Sequence, residues 1–227
     1  MTATAQSQHA ADARLNAATW DGIGRPNRTR PKAMEWMFRT APGPGPELLG
    51  PLTDATVAEL GCGHGAQLAG LAEHGLARGI GIDVSPVRVH HAMTSFGHLR
   101  PLEWWLGDAV PIIPRLPRLD AAFSNFGALW FADPHRILPA LTDRLRPGGR
   151  LVFSCLTRSP GMPEGRRRML VRTGPARSMW TVRWMYSLDG WARLLGEYGY
   201  AVDYVFRPTD PVNAFWGSVV VRARRGG

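Results

Sequence analysis

The chain has few cysteines, almost no lysine and no long hydrophobic run. Its 227 residues include two cysteines and a single lysine, Lys32. Because no stretch of about 18 apolar residues occurs, no membrane-spanning helix is predicted. The first 13 residues are small and polar and lack an apolar core, so we predict a partly disordered N-terminus and no signal peptide.

The placement of the cysteines favours a reducing compartment. Cys62 and Cys155 fall in different predicted elements, and their spacing is not that of metal ligands. Free thiols of this kind are typical of the cytoplasm, where disulfides are rare. We therefore predict a cytoplasmic protein that holds no metal.

Positive charge is in excess, with 27 Lys and Arg against 18 Asp and Glu, giving a net charge of +9. The densest basic cluster is Arg166, Arg167 and Arg168, with Arg172 and Arg177 nearby. A basic surface can attract nucleic acid, anionic lipid or an acidic small molecule. A solvated loop explains the cluster equally well, so charge alone leaves the partner open.

Apolar segments that resemble strands alternate with helical patterns along most of the chain. Strands are predicted at 56–60, 79–83, 102–106, 119–124 and 150–156, and helices at 66–74, after Ser85 and at 134–145. A helix at 188–199 and strands at 200–206 and 216–223 close the chain. This alternation predicts an α/β fold with a doubly wound, mostly parallel sheet covered by helices on both faces.

Two segments stand outside this alternation. Residues 1–50 are predicted to form a helical lid on the substrate side, with one helix before Gly22 and a second over 31–40. Residues 51–227 form the main domain, which an irregular, basic and aromatic insertion interrupts at 157–187. Both segments are free to cover a ligand crevice.

The most informative motif is E-L-G-C-G-H-G over 59–65, at the end of the first predicted strand. Glycines permit backbone angles closed to other residues and let a ligand approach the main chain. Glu59 ends the buried strand, and Gly61, Gly63 and Gly65 form the turn before the next helix. The motif resembles motif I of the class I methyltransferases that use S-adenosylmethionine (SAM).

A nicotinamide site is the first alternative, because Gly61, Gly63 and Ala66 satisfy the relaxed dinucleotide fingerprint. Asp83 also follows at roughly the 20-residue distance that this fingerprint requires. Glu59 argues against it, since a fixed carboxylate repels a diphosphate but suits a cationic amino-acid group. The third glycine, Gly65, completes the G-x-G-x-G spacing that methyltransferases prefer.

Three further landmarks follow in the order found in that family. Asp83 ends the second strand, where its carboxylate can accept hydrogen bonds from both hydroxyls of a ribose. The resemblance implies that G-D-A at 107–109 brackets adenine, with Asp108 accepting from its amine and the N–H of Ala109 serving a ring nitrogen. Asn125 ends the fourth strand, where cofactor and substrate meet, and L-R-P-G-G at 145–149 resembles the turn before the fifth strand.

The resemblance covers residues 55–156 and implies a Rossmann-like sheet of seven strands whose last strand is antiparallel. It implies SAM as cofactor, S-adenosylhomocysteine as product, and cofactor contacts from Val84 and Trp20 as well. Trp20-Asp21 stands where the family often has Tyr-Asp, so a hydroxyl contact is lost and only stacking or capping is expected. The N-P-P-Y signature of many amino-methylating nucleic-acid enzymes is absent.

The acceptor side is less determined. His135 follows the fourth strand and is the candidate for a general base. Trp130, Trp180 and Trp184, together with Asn125, could line a substrate pocket and favour a cationic or planar acceptor.

We therefore predict methyl transfer to an N or O atom of a small molecule in secondary metabolism. The alternatives are an RNA methyltransferase, supported by the positive charge and the basic cluster, and a non-catalytic relative that binds SAM. A homodimer through the last strands is a further possibility.

Overall fold

A computed structural model describes residues 3–23, 30–36, 43–172, 177–207 and 218–227. The helices are α1 (Ala3–Gly22), α2 (Ala66–Leu71), α3 (Pro86–Phe96), α4 (Ala109–Ile112), α5 (Ala128–Phe131), α6 (Pro134–Arg144) and α7 (Leu188–Glu197). Short 3₁₀ segments are Pro46–Leu49, Ala72–His74 and Ile113–Arg115. The strands are β1 (Thr56–Leu60), β2 (Arg78–Asp83), β3 (Leu102–Leu106), β4 (Leu119–Asn125), β5 (Leu145–Leu156), β6 (Gly165–Arg172), β7 (Ser178–Met185), β8 (Tyr200–Phe206) and β9 (Ser218–Arg225).

Seven strands form one sheet in the order β3-β2-β1-β4-β5-β9-β8. The pairs among β1 to β5 are parallel, whereas β9 runs antiparallel to both β5 and β8. The predicted mostly parallel, seven-stranded sheet with an antiparallel last strand is therefore confirmed. The strand order reverses between β1 and β4, and in such sheets ligands bind outside the carboxyl ends of the strands at this point.

Side chains of the central strands alternate between two hydrophobic cores, one on each face of the sheet. On β1, Val57 packs into the core that includes α2 and the end of α3. Its neighbours Ala58 and Leu60 pack into the core beneath α4, α5, α6 and α7. A strand that is buried on both faces needs apolar residues at successive positions, which explains the apolar run T-V-A-E-L and makes Glu59 the exception.

The prediction of an irregular insertion at 157–187 was wrong. Within it, β6 and β7 pair as an antiparallel hairpin, with register contacts from Gly165–Met185 to Arg172–Ser178. Exposed and half-buried positions alternate only over 168–172, and the run of arginines at 166–168 hid this strand pattern in the sequence.

Two predictions for the N-terminus were also wrong. Residues 3–13 are helical rather than disordered, since α1 begins at Ala3. Residues 31–36 are not helical, and the rest of the helix predicted over 31–40 lies outside the described residues. The 31–36 segment is instead held against α2 by a hydrogen bond from Lys32 N to Ala66 O (2.8 Å) and by buried Met34 and Trp36. The start predicted for the last strand, at Trp216, also lies outside the described residues.

Candidate cofactor site

A cavity of about 380 Å³ opens at the carboxyl ends of β1 to β4. Its floor includes Glu59, Asp83, Asp108 and Asn125, which end or follow these four strands. Side chains of α1 and the hairpin residue Trp184 line the opposite side. Small-molecule sites typically measure about 300–1,000 Å³, so the cavity suits a ligand of that class.

The turn after β1 requires glycine for two separate reasons. Gly61, Gly63 and Gly65 have φ angles of +81°, +55° and +80°, in the left-handed region that disfavours other residues. A Cβ added to Gly61 would lie 2.5 Å from Ala128 N and 2.7 Å from Gly127 Cα. The turn thus passes directly against the backbone that follows β4, which brings the ends of the two central strands together.

Gly61→Ala should destabilise the protein strongly. Left-handed backbone strain costs about 1–3 kcal/mol, and overpacking against backbone atoms adds about 1–3 kcal/mol more. We expect the free energy of unfolding in urea to fall by about 2–5 kcal/mol. Gly196→Ala is the matched control, because Gly196 lies in α7 with open space around it and should gain up to about 1 kcal/mol. Equal stability of the two variants would contradict this account of the turn.

Glu59 is a buried carboxylate in an otherwise apolar strand. It is 3% exposed, and its Oε2 has no hydrogen-bond partner among the described residues. Burial, together with the nearby negative charge of Asp83, raises the pKa of the Glu59 carboxyl well above its ordinary value of 4.5. Such an unsatisfied group facing a cavity is costly unless a cationic ligand pairs with it.

Asp83 lies beside the glycine turn as predicted. Its Oδ2 accepts a hydrogen bond from Gly63 N (2.8 Å), and its Oδ1 accepts one from Ser85 N (2.9 Å). A carboxylate has about four acceptor sites, so two remain for a ligand. Burial raises the pKa of Asp83, and the two N–H donors oppose that rise.

Asp108 caps α4 and also touches α1. Its Oδ1 accepts from Val110 N (3.0 Å), and its Oδ2 lies 2.5 Å from His9 Nε2. Ala109 is buried behind it, and Val84, which follows Asp83, lines the same cavity. The residues predicted to surround adenosine are therefore brought together.

Trp20 and Asn125 also line the cavity, in different ways. Trp20 meets Phe131 edge-to-face at 5.0 Å, and the guanidinium of Arg88 lies 5.0 Å from its ring. Asn125 donates to Glu35 O (2.6 Å) and Gln67 Oε1 (2.8 Å). The ring of Trp20 is thus flanked by Phe131 and Arg88, and the amide of Asn125 is largely engaged by protein.

Sequence comparison identifies the family. The profile of a methyltransferase domain matches residues 29–205 of this chain. The chain belongs to that family.

Individual relatives match over shorter stretches. Trans-aconitate 2-methyltransferase from Azoarcus sp. is 39% identical over 105 residues, which are 45% of this chain and 40% of that protein. A tRNA U34 carboxymethyltransferase from Shewanella baltica is 32% identical over 121 residues, 48% of this chain and 33% of that protein. The methyltransferase thus matches less than half the length of these curated relatives.

Solved structures share the fold of the methyltransferase. The SAM-bound amino pentose methyltransferase CalS10 from Micromonospora echinaspora superposes with a TM-score of 0.55 at 19% identity, covering 76% of this chain and 84% of that one. A putative SAM-dependent methyltransferase from Listeria monocytogenes gives 0.63 at 18% identity, covering 80% and 95%. Among the described residues, no helix is long and apolar enough to cross a membrane.

The three predicted acceptor-side tryptophans of the methyltransferase lie in different environments. Trp184 lines the cavity. Trp130 is buried in the core, where its Nε1 donates to Met185 Sδ (3.3 Å). Trp180 is 48% exposed on the hairpin and stacks with Arg168 at 5.2 Å. Only Trp184 is placed to meet a ligand in the cavity.

His135 is not among the residues that line the cavity. Its Nδ1 lies 3.2 Å from the Tyr198 hydroxyl and its Nε2 lies 3.3 Å from the Tyr186 hydroxyl. His135 lies at the start of α6, and both of its ring nitrogens are engaged by tyrosine hydroxyls. These contacts favour a structural role over that of a base.

Sequence reasoning missed several cavity residues of the methyltransferase. They come from three elements that precede or follow the recognised motifs: His9, Asp12 and Asn16 of α1, Lys32 of the 31–36 segment, and Arg88 of α3. One signal was available, because His9, Asp12, Asn16 and Thr19 recur at the spacing of one helical face. That face is polar, so a search for apolar periodicity passed over it.

Proposed function

We propose that this methyltransferase transfers the methyl group of SAM to an N or O atom of a small molecule, of the kind made in secondary metabolism. The observation that carries the proposal is the cavity itself, in which cofactor and acceptor would share about 380 Å³ beneath α1 and the hairpin. A space of this size, covered from two sides, suits a small acceptor. The amino pentose acted on by CalS10 is an acceptor of this size class.

The residues present fit SAM. When bound, SAM supplies an electrophilic methyl carbon attached to a positively charged sulfur. We propose that the unpartnered Oε2 of Glu59 pairs with the cationic amino-acid end. Asp83 has acceptor sites left for the ribose hydroxyls, and Asp108 and Ala109 would serve adenine. Gly61 and Gly63 let the backbone approach the ligand, and Trp20 and Val84 would pack against it.

The catalytic contribution of the protein is mainly positioning. Holding the acceptor atom in line with the methyl–sulfur bond can supply about 7–11 kcal/mol of rate acceleration without any acid–base group. We propose that α1 and the hairpin, with Trp184, exclude water and orient the acceptor. Residues 1–50 would thus act as the lid over the domain formed by 51–227.

An RNA acceptor is the second candidate, and one observation favours it. The hairpin exposes Trp180 stacked with Arg168 beside further arginines, a combination that suits single-stranded nucleic acid. The tRNA-modifying relative is in keeping with it. RNA affinity of this origin would fall steeply with salt, whereas binding of a small acceptor inside the cavity would not.

Calorimetric titration with SAM, S-adenosylhomocysteine and NAD tests the cofactor site. We expect micromolar binding of the first two and none of NAD. Enzyme supplied with methyl-labelled SAM should then label small amines, alcohols and carboxylic acids from a cell extract and leave total tRNA unlabelled. Label in tRNA alone would replace the proposal with the RNA function.

The homodimer and the cytoplasmic location stay predictions.

A further inference from the structure

The face of α1 that points inward is polar where a packed helix is normally apolar. Asp12, Asn16 and Thr19 are 8%, 3% and 0% exposed, and they follow one another at helical spacing. Each makes a hydrogen bond to an element of the cavity wall rather than an apolar contact. The interface between α1 and the cavity wall is therefore formed by hydrogen bonds.

Asn16 lies at the centre of this interface. Its amide Nδ2 donates to Phe131 O (3.0 Å) and Val182 O (3.2 Å). Its Oδ1 accepts from Val182 N (2.8 Å) and from Thr181 Oγ1 (2.8 Å). By bonding both the N–H and the C=O of Val182, the side chain pairs with the edge of β7 as a neighbouring strand would.

One helical turn away on either side, further bonds join α1 to the same hairpin. Arg166 of β6 donates from both Nε and Nη2 to the carboxylate of Asp12, at 2.6 Å each. Thr19 Oγ1 donates to Trp180 O at 2.5 Å. The helix and the hairpin are thus bound along three successive turns.

The same helix touches the adenosine side of the cavity. His9 Nε2 lies 2.5 Å from Asp108 Oδ2. Near the other end, Ser85 Oγ donates to Asp21 Oδ1 (2.5 Å), and Arg88 stacks on Trp20. Both anchors are next to the carboxylates proposed to bind adenine and ribose, so α1 bridges the cofactor half of the cavity and the hairpin wall.

The hydrogen bonds of this interface determine how α1 and the hairpin can separate. Each bond contributes only about 0.5–1.5 kcal/mol net, because water replaces it when the surfaces separate. The bonds between α1 and the hairpin can therefore be exchanged for bonds to water on opening, although Trp20 would also lose its contact with Phe131. A buried amide left half-bonded costs about 1–3 kcal/mol, so partly closed arrangements are disfavoured and α1 and the hairpin should close together.

We propose that Asn16 is a positioning residue that makes α1 and the β6–β7 hairpin close as one unit, so that cofactor binding orders the wall on which the acceptor is held. This rests on the proposed function, because the bound cofactor stabilises α1 through the surroundings of Asp108 and Asp83. The cofactor would then act on the hairpin through α1, across the Asn16 bonds.

Hydrogen exchange with S-adenosylhomocysteine as the probe tests the coupling without knowledge of the acceptor. In the wild-type protein, saturating ligand should slow the exchange of amides in β7 at least tenfold. In Asn16→Ala the ligand should still bind, but the ligand-induced slowing in β7 should disappear. The readout is the change on binding, which a merely structural role of Asn16 in the free protein would not remove.

Arg14→Gln is the matched control, since Arg14 lies on the exposed face of the same helix and the variant should keep the full change. Arg166→Gln should reduce the change, and it replaces Asn16→Ala if that variant does not melt cooperatively. The inference is overturned if ligand binding still slows exchange in β7 of the Asn16 or Arg166 variants. It is also overturned if the wild-type protein binds the ligand and exchange in β7 is not slowed. Absence of wild-type binding overturns the proposed function instead.

Discussion

Asp83→Ala should weaken the binding of SAM and S-adenosylhomocysteine at least 100-fold. The Asp83 carboxylate holds the glycine turn through Gly63 N and keeps acceptor sites for the two ribose hydroxyls. Hydrogen bonds to a charged group contribute about 1.5–3 kcal/mol each, and every 1.4 kcal/mol is a factor of ten in Kd. Loss of two ligand bonds alone therefore accounts for the expected change, which calorimetry would measure.

The control for this variant is Asp203→Ala. Asp203 is a carboxylate that is likewise engaged by protein, through ion pairs with Arg222 (2.7 Å) and Arg224 (2.6 Å), but it lies on β8, outside the residues that line the cavity. Its loss should leave the Kd unchanged. If Asp83→Ala melts cooperatively and still binds both ligands within tenfold of wild type, Asp83 does not hold the ribose.

The floor of the cavity was predictable from sequence because of a simple geometric rule. Carboxyl ends of parallel strands meet at one edge of a sheet. Asp83 and Asn125 each end a strand, Glu59 is the last but one residue of another, and Asp108 follows a fourth, so recognising the strands was enough to place the four side chains together. The glycine turn added the position at which a ligand could approach.

The cover of the cavity was not predictable in the same way. The bond between Asp12 and Arg166 joins residues 154 positions apart, and neither residue belongs to a motif. The polar face of α1 gave no apolar period, and the arginines of β6 concealed a strand. His135 was favoured by its place in the sequence, but the two tyrosines that bind its ring, Tyr186 and Tyr198, lie just before and just after α7, far along the chain.

Glu59→Gln should change stability and cofactor affinity in opposite directions. Glu59 is buried with one oxygen unpartnered, and a neutral amide costs less to bury than a charge. We expect Tm at pH 8 to rise by about 2–4 °C for each kcal/mol recovered in a protein of this size. Binding of S-adenosylhomocysteine should weaken at least tenfold, because the cationic amino group loses its proposed carboxylate partner.

The pH dependence of this variant follows from the sign of the pKa shift. Because burial raises the pKa of Glu59 in the folded protein above its ordinary value of 4.5, the folded state holds this proton more tightly than the unfolded state. The cost of the charge is therefore absent below pH 4.5 and grows as pH rises through the folded pKa. The Tm difference between Glu59→Gln and wild type should vanish at low pH and reach its maximum at high pH. A variant that is less stable than wild type at pH 8 would show that the carboxylate is satisfied within the protein, and that no cationic ligand is needed to explain it.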